Sequence, residues 1–327
     1  MLFRSHWRGD APPVTRIELT EVTSSDALIY SFEVGTLSIL STDPFDSASV
    51  NIRADMETWS YPTARMHYLG FDGTRAPLNQ ADVRRAISQA LDRALITNTT
   101  FNGYADPVLL PVPPQSSFKT DPVEAGYGFD LQKTTELLGN LGFADEDHDG
   151  VLEYPASLGG GRSSGGARIP FAAELLVCSE NITACAAAAQ IADMLGQQGL
   201  PVTLKRLPYD SYLRALEAGE FDLYYGVAQL SGDFDPAVFL QDGALWYGAQ
   251  YDPQLDTLCG ELQNTPDSAS ALQRRRVYQA FLENTVISPL LFTQRQLISH
   301  RGRLTDPSPI DTNLFYHWED WGIRFQD

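Results

Sequence analysis

The chain has 327 residues, 43% hydrophobic and 20% charged, a composition that excludes a disordered chain and leaves room for more than one folded lobe. Acidic residues outnumber basic ones 42 to 23, and a net charge of −19 argues against a nucleic-acid partner, whose phosphates it repels. No apolar run reaches bilayer length, MLFRSHWRGD lacks the apolar centre of a signal peptide, and Cys178, Cys185 and Cys259 are too few and too irregular for a disulfide framework or a zinc site.

Near the start, Arg8-Gly9-Asp10 matches an adhesion tripeptide, a match short enough to arise by chance. Val14 to Leu19 alternates like a half-buried strand. Ser24 or Ser25 suits the cap of a short helix ending at Gly35, and Leu37 to Leu40 reads as a second strand, so a parallel β-α-β unit is expected here. Met66 to Phe71 is an apolar strand. A helix is then expected from Gln80 to Ile96, capped by Asn79, with Val83, Ile87, Ala90, Leu91, Ala94 and Leu95 on one face. Arg84, Arg85, Gln89, Asp92 and Arg93 read as its solvated side. Four prolines (107, 111, 113 and 114) enforce an irregular crossing, and Asp130 caps a helix whose leucines 131, 137, 138 and 141 point inward before Gly142 stops it.

Asp145-Glu146-Asp147-His148-Asp149-Gly150 matches the first half of a calcium loop, with Asp145, Asp147 and Asp149 as candidate ligands. Position twelve, where a bidentate Glu belongs, is Ala156, so an Asp/Gly-stabilised turn is the plainer reading and no cofactor is expected. Residues 156–167 are a Gly/Ser-rich surface loop without the Lys-Ser/Thr ending of a phosphate loop. Glu174 to Ser179, Ile182 to Gln198 and Val202 to Leu207 form a second β-α-β unit, followed by a helix from Ser211 to Ala218 under an Asp210 cap. Farther on, Ser268 to Glu283 reads as a helix, Val286 to Ser299 as a strand, and Phe315, Tyr316, Trp318 and Trp321 as an aromatic cluster.

The segment most suggestive of binding is Gly219 to Leu258. Phe221 to Gln229 is an aromatic, β-branched strand that runs into Ser231-Gly232-Asp233-Phe234-Asp235-Pro236, and ligands of open α/β sheets sit outside the carboxyl ends of strands. The Asp-Pro pair is also a turn-to-helix signal, so an acidic cap on a surface loop is the alternative. Aromatics packed around two carboxylates suit a cationic, partly apolar ligand, and Gln229, Ser231, Asp233, Phe234, Asp235, Tyr225, Trp246 and Tyr247 are the candidate lining.

The order of segments resembles the extracellular solute-binding proteins of family 5, the peptide- and nickel-binding components of ABC importers. The matching pieces are Leu69-Gly70-Phe71-Asp72, the helix from Asp82 to Arg93, Gly103-Tyr104-Ala105, Gly142-Phe143 with Asp147 to Leu152, Gly219 to Leu223, and Tyr251 to Asp256. The resemblance implies a two-lobed α/β, periplasmic-binding-protein-like fold of class II type. This chain would be its later part, with residues 66–285 a near-complete second lobe, 1–65 part of the first, and 286–327 returning to it. It further implies capture of a dipeptide or oligopeptide between hinged lobes by an extracytoplasmic monomer, and delivery to membrane permease subunits, with no catalysis. In peptide-binding members an Asp of this loop pairs with the ligand ammonium, which makes Asp233 the candidate and Asp235 its structural partner or substitute. The loop departs from the family pattern in having only Phe234 between its two aspartates and no Trp upstream, around Val227 to Gln229. The alternatives are a nickel-complex or oligosaccharide binder, the ligand-sensing domain of an intracellular regulator, and a hydrolase, which the scattered histidines disfavour.

Overall fold

A computed structural model describes residues 16–22, 24–44, 52, 55–119, 123–159, 167–247, 252–310 and 313–324. The Arg8-Gly9-Asp10 tripeptide, Val14, Thr15, most of the Gly/Ser-rich loop and Tyr251 lie outside them. The chain divides into two compact units: unit 1 comprises Met1–Ala64 and Thr293–Asp327, and unit 2 comprises Arg65–Phe292. Two long strands, β2 (Met56–Phe71) and β9 (Ile287–His300), have residues in both.

In unit 1, α1 (Ser25–Glu33) is capped by the Ser24 hydroxyl, which accepts from the Ala27 N–H, and is followed by β1 (Ile39–Thr42). The parallel β-α-β unit expected here does not form. β1 pairs antiparallel with β9, from Ile39 opposite Ser299 to Thr42 opposite Gln296, and Arg16 to Leu19 carry no strand. The physical reason is partner choice: β9 supplies a long apolar edge more than 250 positions away, which local periodicity does not register. Two small cores result. Phe32, Leu40, Ile52 and Ile298 form one; Tyr61, Leu297, Leu304 and Trp321 form the other, and Phe315 and Trp318 pack on it. Tyr316 of the expected aromatic cluster stays 40% exposed. A two-residue ladder, β10 (Leu304–Thr305) with β11 (Gly322–Ile323), closes the unit.

Unit 2 is the larger. Its helices are α2 (Ala81–Gln89), α3 (Arg93–Thr100), α4 (Leu131–Asn140), α5 (Ile182–Gly196), α6 (Tyr209–Glu217), α7 (Pro253–Gln263) and α8 (Asp267–Asn284). Its shorter strands are β3 (Ala105–Pro107), β4 (Glu153–Pro155), β5 (Arg168–Pro170), β6 (Ala173–Cys178), β7 (Val202–Leu207) and β8 (Leu223–Gln229). The expected β6-α5-β7 unit forms with parallel strands, and β6 pairs parallel with β8, which in turn lies antiparallel to β2. Side-chain caps start several helices: Asp130, Asn181 and Asp252 accept from the N–H groups of Lys133, Ala184 and Leu255. The β2–β8 register places Tyr68 opposite Gly226 and Gly70 opposite Tyr224. Each ring lies over the facing glycine so closely that an added Cβ would stand 2.2 and 2.1 Å from it, so both positions need glycine.

The long helix expected from Gln80 to Ile96 is instead two, α2 and α3. Asp92 breaks it by accepting from the Leu95 N–H, so that it caps α3, while α2 starts after Gln80 with no side-chain cap. Its supposed solvated face is also corrected, because Arg84, Gln89 and Arg93 are 4%, 2% and 6% exposed. Arg84 donates to the carbonyls of Leu78, Asn284 and Thr285 at 2.7, 2.6 and 3.0 Å. Arg93 donates to the Pro289 and Ser88 carbonyls at 2.8 and 3.0 Å and to the Ser88 and Ser288 hydroxyls at 2.8 Å each. Burial pushes both guanidinium groups down to about 10, for Arg84 against the opposing pull of Asp252. Both stay charged at neutral pH. In α4, Leu138 is buried as expected, but Leu131 is 39% exposed, since it sits at the helix start beside the solvent.

Candidate functional site

β8 ends at Gln229, and the chain then passes through buried Leu230 into exposed Ser231, Gly232 and Asp233. Phe234 follows with φ of +48°, and its side chain turns into the core, edge-on to Phe292 at 6.2 Å. Pro236 then opens a short 3₁₀ turn, Pro236–Phe239, that Asp235 caps by accepting from the Ala237 N–H at 2.9 Å. The other Asp235 oxygen accepts from the Gln263 side chain on α7 at 2.9 Å, so both its oxygens are engaged. Gly243 packs against the turn so tightly that a Cβ would stand 2.4 Å from the Val238 carbonyl.

Asp233 differs. Its carboxylate is exposed and accepts from the Ser231 hydroxyl at 2.5 Å, and no Lys or Arg among the described residues pairs with it. The nearby cation, Arg274 of α8, donates instead to the Asp233 main-chain carbonyl at 3.3 Å, while its guanidinium lies 3.9 Å over the Phe118 ring. A side chain from α8 thus fixes the backbone of the loop and leaves the carboxylate available to an external cation. Periodicity and spacing gave no sign of Arg274, Gln263 or Phe118, which reach this loop only through the tertiary fold.

The candidate aromatics divide across the sheet. Tyr225 is 2% exposed, and its hydroxyl is 2.9 Å from Nδ1 of buried His67. Burial, helped by the charge of Arg65, pushes His67 down to about 3 and keeps the imidazole neutral. Tyr247 lies on the opposite face, edge-on to Tyr224 at 5.8 Å, in a cluster with Tyr68, Phe221 and Phe239. Burial raises the Tyr68 and Tyr224 hydroxyls well above the usual phenol range. Trp246 is 38% exposed, and Gln229 is exposed at the strand end. The structure therefore brings Ser231, Asp233, Phe234 and Asp235 together, and sets Tyr225 on the face away from Tyr247.

A second group of carboxylates stands between α4 and β4. One oxygen each from Asp145, Asp147, Asp149 and Glu153 lies within 4.8 Å of the others. Asp145 and Asp147 accept from the Asp149 N–H at 3.2 Å each, Asp145 accepts from Gly150, and Glu153 accepts from the Glu146 N–H. Gly150, at φ of +90°, makes the sharp turn of the sixth loop position. Glu153, at the ninth position of the calcium pattern, was legible in the sequence by spacing, and its side chain is the one added to the expected three. The set is of the hard oxygen type that suits calcium.

Comparisons with known proteins bear on identity. The D,D-dipeptide-binding periplasmic protein DdpA of Escherichia coli K12, described as probable, is 27% identical over 154 residues, 47% of this chain and 28% of that protein. Glutathione-binding protein GsiB of Salmonella typhimurium is 24% identical over 144 residues, 44% of this chain and 28% of that protein. The solved structure of the oligopeptide-binding protein AppA of Bacillus subtilis with a nonapeptide superposes with a TM-score of 0.69 at 15% identity, covering 93% of this chain and 59% of that one. That likeness establishes the α/β, periplasmic-binding-protein-like fold, and the chain spans less than two thirds of the relatives it matches. The family model for bacterial extracellular solute-binding proteins, family 5 Middle, matches residues 3–247, three quarters of the chain, and the chain belongs to that family.

Proposed function

We propose that this chain is the ligand-holding part of the solute-binding component of an ABC importer for short peptides, acting outside the cytoplasm and delivering its ligand to membrane permease subunits. Unit 2 supplies most of a second lobe and unit 1 part of a first. The observation that carries the reading is Asp233: an exposed carboxylate with no described cationic partner, on a loop whose backbone is fixed by Arg274 and whose second acid, Asp235, is consumed by capping. A peptide's terminal ammonium satisfies such a group by a charge-assisted hydrogen bond. The dipeptide- and glutathione-binding names of the sequence relatives support a peptide class of ligand. Binding, with no chemical step, is what this loop offers, and the protein is proposed to act as a monomer.

The test is calorimetric titration of the 327-residue chain with a dipeptide and with its N-acetylated form. Acetylation removes the ammonium, so it should weaken binding about tenfold or more, and in Asp233→Asn it should cause no further loss. Equal affinity of the parent protein for free and acetylated peptide would sink the ammonium role of Asp233. Binding of an uncharged sugar or a metal chelate with no peptide binding at all would replace the peptide reading.

A further inference from the structure

Unit 1 holds a cavity of about 280 Å³ lined by Glu33, Ser38, His300, Arg303, Ile323 and Arg324, among others. Its walls come from the end of α1, the start of β1, the end of β9 and the β10–β11 ladder. Leu304 pairs with Ile323, and the Arg324 N–H donates to the Arg303 carbonyl at 2.9 Å, so the register sets Arg303 opposite Arg324. Residues opposite each other in an antiparallel ladder project from the same face with Cβ atoms about 5 Å apart, and like charges there repel.

This pair is unusual among the described arginines of unit 1. The other described arginines of unit 1 have acids: Arg16 has Glu18, Arg295 has Asp43 at 3.4 Å and Arg301 has Asp55 at 2.7 Å. Neither Arg303 nor Arg324 has a carboxylate partner among the described residues, although the chain carries 42 acids to 23 bases. Arg303 is half-buried and Arg324 exposed, so both reach the cavity mouth. Glu33, the one carboxylate in the lining, has an interaction of its own. His300 donates from Nε2 to the Phe32 carbonyl at 2.9 Å and lies flat on the Phe32 ring at 4.3 Å, which makes that wall rigid.

We infer that this cavity is an anion site for a compact oxyanion, a phosphate or carboxylate group held between the Arg303 and Arg324 guanidinium groups. Both arginines present planar donor forks that match such oxygens, and a bound anion turns their mutual repulsion into shared attraction. In a chain of net charge −19 an anion has no general reason to approach, so affinity depends on this pair. The site lies in unit 1 and favours the charge opposite to that suited to Asp233 in unit 2, so the two assignments stand or fall separately.

The experiment is thermal unfolding and calorimetry of the 327-residue chain titrated with inorganic phosphate and with succinate, each against sodium chloride of equal ionic strength. A saturable rise in unfolding temperature with either anion beyond that in chloride is expected. Which of the two binds identifies the group as phosphate or carboxylate. R303Q and R324Q should each cut affinity about tenfold or more. R303E supplies the missing acid opposite Arg324, so it should abolish the anion response while leaving the anion-free unfolding temperature unchanged or raised. Three results would overturn the site: anion effects no larger than those of chloride, an undiminished response in R303Q and R324Q, or an R303E that unfolds at lower temperature yet still responds.

Discussion

Two regions of unit 2 use charge in opposite ways. Where α2 and α3 meet the start of β9, Arg84 and Arg93 are buried; Arg84 spreads its donors over main-chain carbonyls, and Arg93 over carbonyls and serine hydroxyls, rather than carboxylates. At the end of β8, Asp233 is exposed, and its own hydrogen-bonding partner is a neighbouring hydroxyl. The buried cations are committed to the fold, because removing one strands several acceptors out of water. The loop carboxylate has the Ser231 hydroxyl but no cation of its own among the described residues, and an external cation can take it. A charge that is saturated serves architecture; one that is held in place but left without a cation is what the proposed binding role requires.

That contrast is sharpest in substitutions. Arg93→Met should lower stability by roughly 3 kcal/mol or more, read by urea unfolding, because five acceptors lose their donor, the Leu91 carbonyl among them, while the remaining folded protein binds peptide as before. A ligand effect without a stability effect would reverse the assignment. Next in size is acid sensitivity through His67, whose value falls from 6.5 to about 3 on folding. Below pH 6.5 the unfolded chain takes up a proton that the native state refuses, so stability is lost as pH falls from 6.5 toward 3, by roughly 2–3 kcal/mol at about pH 4.5. His67→Gln should flatten that part of the urea-midpoint profile. Asp233→Asn sits on the other side of the comparison: about tenfold weaker peptide binding, with stability changed by less than about 0.5 kcal/mol.

Much of this was legible from the residues because it is local. Asp130 and Asn181 cap helices by reaching their own first turns, Gly142 and Gly199 stop them at positive φ, and β6-α5-β7 folds as one consecutive unit. The order of such segments also carried the family resemblance, and the Asp-Pro turn after β8 formed where its chemistry placed it. Other features depend on partners far along the chain, and only the tertiary structure decided them. β1 chose the antiparallel edge of β9 over a parallel neighbour, and Arg84 and Arg93 went inward because carbonyls near residues 284–289 waited there. Asp233 is separated from Asp235 in role by Gln263 and Arg274, which arrive on two later helices. Sequence determines what each residue can bond to within a turn or two; which long-range acceptor, ring or edge it meets is set by packing, where one polar contact made or missed inside the protein outweighs a local propensity.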